Sequence, residues 1–191
     1  IMIPIVATNG KIVGFGGRTT NSSEPKYLNS PESKVFSKRN ILFGAYNIKK
    51  EKHNADNIIL CEGYMDVLAL YRFGYPAVAT LGTAVSDKQI DLLKKITKNI
   101  FVVFDGDQAG KNATIRLFEK LLPLLKTDNI FRFIFLPNDL DPEEYLIINL
   151  PDSLATRYTP VRFTFSVFSH TDKSESSKEV NTCPSLIKCS P

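Results

Sequence analysis

The chain predicts an α/β fold, with a mainly parallel sheet flanked by helices and preceded by a small basic α+β lobe. Three observations carry that reading. From Asn57 onward, short apolar runs alternate with amphipathic stretches of helical period. Two of those runs, Ile58-Ile-Leu-Cys61 and Phe101-Val-Val-Phe104, stop abruptly at acid–glycine turns, the pattern of strands buried on both faces. The first 56 residues, by contrast, hold nine Lys or Arg against four Asp or Glu, a surplus of +5 in a chain whose net charge is +4.

Ile3-Pro-Ile-Val6, Asn9-Gly10 and Lys11-Ile-Val-Gly-Phe15 predict a β-hairpin closed by a type I′ turn, with Pro4 confining the first strand to an edge. Gly14, Gly16 and Gly17 then interrupt the pattern before Arg18. A polar stretch leads to Pro25-Lys-Tyr-Leu-Asn-Ser-Pro31, a short helix is expected near Phe43 to Ile48, and Glu51 to Asp56 reads as a charged linker. Strand 57–61 leads into a helix near 64–73, which Gly74 and Pro76 stop. Strand 77–80 and the loop Leu81-Gly-Thr-Ala-Val85 precede a capping box, Ser86-Asp-Lys-Gln89, which opens a helix with the stripe Ile90, Leu93 and Ile96. Strand 100–104 is followed by a helix to about Leu125 with Ile115, Phe118 and Leu122 on its apolar face. Strand 130–136 enters Pro137-Asn-Asp-Leu-Asp-Pro-Glu-Glu144. Repeated β-α units imply parallel strands joined by right-handed crossovers. The last 41 residues carry eight Ser, five Thr and four Pro. They read as a poorly ordered tail, with one possible edge strand at Val161 to Val167.

The organisation expected is therefore a basic lobe at 1–56, an α/β domain at 57–148 and the tail at 149–191. No apolar run approaches the roughly 20 residues of a membrane helix. Cys61, Cys183 and Cys189 have neither zinc-site spacing nor a disulfide framework, so a reducing compartment and no zinc site are expected. Cys61 reads as core, and His53 and His170 lie in polar segments without ligand character. Ile1 in place of methionine suggests a fragment or an excised domain.

The chemistry concentrates in acids at strand ends. Asp105 and Asp107, held apart by Gly106, project from the carboxyl end of one strand, where ligands sit in open α/β sheets. Glu62-Gly63 ends another strand, with Asp66 one helical turn on. With Asp141, Glu143 and Glu144 they suggest one acidic site for a hard divalent cation, assembled from distant parts of the chain. The plain alternative is that each acid caps the helix that follows it. Gly82-Thr83 fits either a phosphate-approaching turn or a simple strand-to-helix connection. A basic lobe beside an acidic metal site suits a polyanionic substrate, and a solvated basic surface is the plainer reading of the charge.

Glu62-Gly63 and Asp105-Gly-Asp107, each after a strand, resemble the Toprim domain of primases, topoisomerases and several nucleases. Gly14-Phe-Gly-Gly-Arg18, Pro25 to Pro31, Glu62-Gly-Tyr-Met-Asp-Val67, Ala79-Thr-Leu-Gly-Thr-Ala84, Phe104 to Gly110 and Asp141-Pro-Glu-Glu144 narrow the resemblance. Their order and spacing over roughly residues 1–148 are similar to the catalytic core of bacterial DNA primases. That resemblance implies synthesis of short RNA primers on a single-stranded DNA template, from ribonucleoside triphosphates, with Mg2+ or Mn2+. It implies Glu62, Asp105 and Asp107 as catalytic metal-binding acids, completed by Asp141 and Glu143; the acid–glycine turns themselves add Asp66, Gly63 and Gly106 as expected supporting residues. It implies Arg18, Lys26, Tyr27 and Lys38 as contacts to nucleotide and template. Arg suits bidentate phosphate binding, Lys a point contact, and Tyr27 a stacking platform. It further implies a replicative helicase as partner, no membrane, and a location in the bacterial cytoplasm or an organelle of bacterial ancestry. The family's zinc-binding and helicase-interaction domains, and the amino-terminal part of its polymerase core, have no counterpart in these 191 residues. Two alternatives remain open at this level, a Toprim-type nuclease and a non-catalytic nucleic-acid-binding remnant.

Overall fold

A computed structural model describes residues 1–20, 24–50, 56–82, 84–124, 129–137 and 139–149. Calls on Glu51 to His53, Thr83, Val161 to Val167, His170, Cys183 and Cys189 lie outside these residues.

The amino-terminal sheet has the order β1-β2-β3, with β1 Met2–Val6, β2 Ile12–Arg18 and β3 Tyr27–Asn29, all antiparallel. Pro4 lies on edge strand β1 as expected, since an edge strand can spare one ladder donor. The hairpin turn differs from the expected type I′. Gly10 N donates to the Ala7 carbonyl at 2.8 Å, Ala7 N donates to the Lys11 carbonyl at 2.9 Å, and Gly10 has φ 85°. Asn9 does not share the left-handed conformation, because Leu81 and Asp139 are the non-glycine positive-φ positions among the described residues. Asn9 instead accepts from Lys11 N through Oδ1 at 3.1 Å, so Thr8–Gly10 form a three-residue loop ending in a left-handed glycine. The glycines of β2 also do not interrupt it. Ideal Cβ atoms would stand 3.2 Å from the Phe36 ring at Gly14 and 2.6 Å from the Tyr64 ring at Gly16. The missing side chains let two aromatic rings lie flat on a continuous strand.

The second sheet is parallel, in the order β5-β4-β6-β7, with β4 Asn57–Cys61, β5 Ala77–Ala79, β6 Asn99–Val103 and β7 Ile130–Ile134. Period-two alternation sends Ile59 and Cys61 into one core layer with Val67 and Leu70 of helix α2 (Tyr64–Arg72) and Leu146 of α5 (Pro142–Asn149). Ile58 and Leu60 enter the other layer with Ile90 and Leu93 of α3 (Asp87–Ile96) and Leu117 and Leu121 of α4 (Gln108–Leu121). A short helix, α1 (Ala45–Lys50), adds Ala45 and Ile48 to this second layer. Helices thus cover both faces, as the continuous apolar strands require. The chain leaves β4 toward β5 and then returns past β4 to β6, so the winding direction reverses between β4 and β6.

The sheets meet through Ile3, Ile5, Phe36 and Phe43, which share a core layer with Ile59, Cys61 and Tyr64. Phe43 also forms a backbone bridge to Ala79, with N–H···O distances of 2.9 and 3.0 Å. The Ser86 capping box forms as expected: Ser86 N donates to Gln89 Oε1 at 2.9 Å and Gln89 N donates to Ser86 Oγ at 3.1 Å.

Helix α4 turns inward a face rotated from the one expected, which keeps only Phe118 of the expected stripe, partly buried and edge-on to Phe133 at 5.6 Å. Ile115 and Leu122 are 50% and 44% exposed, whereas Gly110, Thr114, Leu117 and Leu121 are buried. Both stripes have helical spacing, so periodicity cannot choose between them. Gly110 chooses, because an ideal Cβ there would stand 2.1 Å from the Asp105 carbonyl oxygen. Only a glycine face lets α4 lie against that turn. Accordingly, Leu117→Ala should cost about 2–4 kcal/mol, and Ile115→Ala less than about 0.5 kcal/mol, in urea unfolding followed by circular dichroism. Equal losses would overturn this assignment of the buried face.

Candidate metal and nucleic-acid site

β4 and β6 are hydrogen-bonded neighbours with Leu60 opposite Val102. Continuing that register by two residues sets Glu62 beside Phe104, so Glu62, Asp105 and Asp107 emerge together at the carboxyl edge. This is also where the winding reverses, the place where open α/β sheets leave a crevice for ligands.

Gly106 ties in the third acidic segment. Its N–H donates to the Leu140 carbonyl at 2.8 Å, and an ideal Cβ would lie 2.8 Å from the Leu136 oxygen and 3.1 Å from the Leu140 oxygen. Gly106 is therefore needed for close backbone approach rather than for a left-handed turn, which it does not make. Next to it begins α5, opened by a reciprocal cap: Glu144 N donates to Asp141 Oδ1 at 2.7 Å and Asp141 N donates to Glu144 Oε2 at 3.2 Å. α5 packs on α2, whose first turn carries Asp66.

The acids divide into caps and non-caps. Asp107 caps α4 by accepting from Gly110 N through Oδ1 at 2.7 Å, and Asp141 caps α5. Asp66 is buried, and its Oδ2 accepts from Gly63 N at 2.9 Å. Glu62 Oε1 is buried without a hydrogen-bond partner. Burial, followed by the Asp105 charge, raises the Glu62 carboxyl above its usual range. Burial raises Asp66 to about 7 against the lowering effect of the Gly63 hydrogen bond, with smaller upward contributions from Asp105, Asp141 and Glu62. Burial and then Asp141, Asp107 and Glu144 raise Asp105 to about 6. Burial leads in all three, the neighbouring acids add to it, and at Glu62 the Arg116 charge and a hydrogen bond from the Asp105 backbone offset only part of the rise.

Among the described residues, no three His, Cys, Asp or Glu side chains form a ready coordination sphere. The donor set nevertheless fits a hard divalent cation. All donors are carboxylate oxygens, one of them orphaned and buried, and Mg2+ takes one or two carboxylates with waters and phosphate oxygens.

Three of the basic-lobe candidates converge. Arg18 and Tyr27 are partners across β2 and β3. The Arg18 guanidinium carbon and Lys26 Nζ each lie 5.7 Å from the Tyr27 ring centroid. The Tyr27 hydroxyl is raised by burial first, lowered by Arg18, and raised again by Asp66, Glu143 and Asp141. One ring thus feels both the cations and the acids. Lys38 belongs to another element, the 3-10 turn Lys38–Asn40, where Glu32 Oε1 accepts from its N–H at 2.9 Å.

Sequence reasoning missed Tyr64 and Gly110 as site residues. Tyr64 stands between the acids and the basic lobe, with its ring 6.0 Å from Tyr27 and 5.5 Å from Phe43 and its hydroxyl donating to Asn29 Oδ1. The signals were the glycines: Gly16 marks the seat of the Tyr64 ring, and Gly110 the approach to Asp105.

Residues 59–146 match the family model described as Toprim-like, and residues 1–49 the model for the DNA primase catalytic core, N-terminal domain. The DNA primase of Legionella pneumophila is 49% identical over 145 residues, 75% of this chain and 25% of that protein. This chain belongs to the bacterial DNA primase family. It spans about a quarter of the length of the curated relatives it matches. A solved DNA primase domain from Pseudomonas aeruginosa superposes with TM-score 0.74 at 43% identity, covering 82% of this chain and 49% of that one. A primase catalytic domain bound to single-stranded DNA superposes with TM-score 0.74 at 38% identity, covering 82% and 51%. The primase family thus accounts for both sheets, and no helix among the described residues is long and apolar enough to cross a membrane.

The raised carboxyls set a testable pH dependence. A folded value above the unfolded 3.8 means stability that is present below 3.8 and lost as pH rises through about 6 for Asp105 and about 7 for Asp66. Metal-free protein should therefore melt at a lower temperature at about pH 8 than at about pH 5, and added Mg2+ or Mn2+ should raise the melting temperature more at the higher pH. A metal-induced shift equal at both pH values would mean that these acids do not hold the ion.

Proposed function

We propose that this chain carries the metal- and nucleotide-handling centre of a primase, for synthesis of short RNA primers on single-stranded DNA from ribonucleoside triphosphates. The observation that carries the reading is the meeting of opposite charges at Tyr27. Arg18 and Lys26 flank its ring, while Asp66, Asp141 and Glu143 act on its hydroxyl. A polyanion crossing from the cations to the acids needs that arrangement, provided a divalent ion reverses the local charge of the acids.

In this reading Glu62, Asp105 and Asp107 hold Mg2+ or Mn2+, with Asp141 and Glu143 completing the set and Asp66 supporting it. Asp107 and Asp141 cap their helices through one carboxylate oxygen, which leaves the other for an ion. The bound ion would supply charge neutralisation at the transferring phosphate and activation of the attacking hydroxyl. Arg18 takes phosphate oxygens as a fork, Lys26 takes them as a point charge, and the Tyr27 ring offers a stacking surface. Lys38 adds a further cation toward nucleotide or template. Residues 1–56 then serve as the nucleic-acid-facing lobe and 57–148 as the metal-bearing domain, with a replicative helicase as the partner of the whole protein. A primase relative solved with single-stranded DNA supports the template assignment. A nuclease would use the same acids but has no need of the first lobe, whose residues 1–49 match the primase core.

Two measurements separate the halves of the site. Labelled ribonucleotide incorporation on single-stranded DNA, run beside strand cleavage in the same buffer, should show incorporation only. Asp105→Ala and Asp107→Ala should abolish it and leave DNA binding unchanged or slightly tighter. Arg18→Ala and Lys26→Ala should weaken DNA binding and flatten its salt dependence by about 0.7 in the log–log slope per lost phosphate contact. Cleavage without incorporation would select the nuclease. Binding that yields neither product, even with Mn2+, would select the non-catalytic reading.

A further inference from the structure

The capping box of α3 does more than cap. Gln89 has no exposed surface, yet it is a polar side chain at the start of a surface helix. Its Oε1 accepts from Ser86 N, which is all that a capping box asks of the third helical residue. Its Nε2 donates to two further partners, the Lys38 carbonyl at 2.9 Å and the Ile41 carbonyl at 2.8 Å. Ser86 Oγ donates to the Arg39 carbonyl between them. The cap of α3 thus captures the carbonyls of residues 38, 39 and 41, which lie 47 to 51 positions earlier in the chain.

Capping alone does not explain the glutamine. A glutamate would serve Ser86 N equally well, and a leucine or methionine would fill the buried volume. Only a carboxamide offers one acceptor for the cap and two donors for the carbonyls. With Glu32 holding its N–H and Gln89 its carbonyl, Lys38 is anchored on both sides of its Cα. A cation on a fixed backbone has less freedom to lose when it meets a phosphate.

We propose that Gln89 is a positioning residue for polyanion binding: its buried carboxamide fixes the 38–41 turn on the parallel-sheet domain and so sets where Lys38 meets nucleotide or template. The proposal rests on the reading of Lys38 as a phosphate contact, and its test keeps the two apart. The probe is a fluorescently labelled single-stranded DNA oligonucleotide titrated with the full 191-residue chain. Lys38→Ala should weaken binding by roughly fivefold and flatten the salt slope by about 0.7. Gln89→Met should weaken it by a similar factor, and the double variant should be no weaker than Lys38→Ala alone, because both remove the same contact. Losses that multiply in the double variant would make Gln89 a general structural residue and overturn the proposal, as would Gln89→Met binding like wild type. No effect of Lys38→Ala would remove the underlying reading together with the proposal.

Ser86→Gly keeps the measurement informative if Gln89→Met does not fold. It loses the donor to Arg39 while costing the helix only a few tenths of a kcal/mol. Its effect on binding should likewise vanish in the Lys38→Ala background, and an effect that persists there counts against positioning.

Discussion

The pairing of β4 with β6 is the constraint on which the site depends. These strands are separated in the chain by α2, β5 and α3, yet they lie side by side with Leu60 opposite Val102. Their register brings Glu62 and the Asp105–Asp107 turn to one edge, and β7 beside β6 delivers Asp141 and Glu143 to the same edge. Every helix that follows a strand in a parallel sheet begins at that edge. The amino termini of α2 and α4, and that of α5, therefore start among the acids. Their partial positive charge offsets part of the repulsion that collecting carboxylates creates. The offset is incomplete: burial first, and then the neighbouring acids, still raise the Glu62, Asp66 and Asp105 carboxyls.

Burying and crowding these carboxyls costs the fold stability. A buried, unpartnered oxygen such as Glu62 Oε1 costs about 1–3 kcal/mol relative to a satisfied one. A chain selected only for stability would place a shorter or apolar residue there. The surrounding core carries the load instead. Ile58, Leu60, Ile100 and Val102 are buried between helices on one side, and Ile59 and Cys61 on the other. Strands locked on both faces hold their ends still even when those ends repel.

The two sheets are joined by contacts that also touch functional candidates. The Tyr64 ring occupies the space left by Gly16 and approaches Tyr27, so the first turn of α2 bears directly on the strand carrying the basic-lobe tyrosine. Gln89 and Ser86 hold the 38–41 turn. Phe43 bridges to β5. None of these contacts is strong alone, but each links a cation-bearing segment to the sheet that bears the acids. The distance between the basic residues of the first sheet and the acids of the second is consequently set by packing rather than by a free linker.

Much of this was legible along the chain. Apolar runs ending in Glu62-Gly63 and Asp105-Gly-Asp107 identify buried strands and their acidic ends, because a strand covered on both faces can carry no polar residue until it leaves the sheet. Ser86 to Gln89 announces its helix start, because capping is a local hydrogen-bond pattern. The resemblance of the ordered motifs was enough to reach the family. Other features had no local signal. Ile115, Phe118 and Leu122 have the same spacing as Thr114, Leu117 and Leu121, and only the approach of Gly110 to Asp105 decides that the second stripe is the buried one, with Phe118 at its margin. Asn9-Gly10 suits more than one hairpin, and the three-residue loop accompanies a register shift at Ile5 and Val6 that periodicity does not reveal. Composition and local pattern thus determined which segments become strands and helices and which residue types end them, since those depend on neighbours in the chain. Tertiary structure decided which faces are buried, which acids meet, and that Tyr64 and Gln89 join the lobes, because each depends on atoms brought together from residues tens of positions apart.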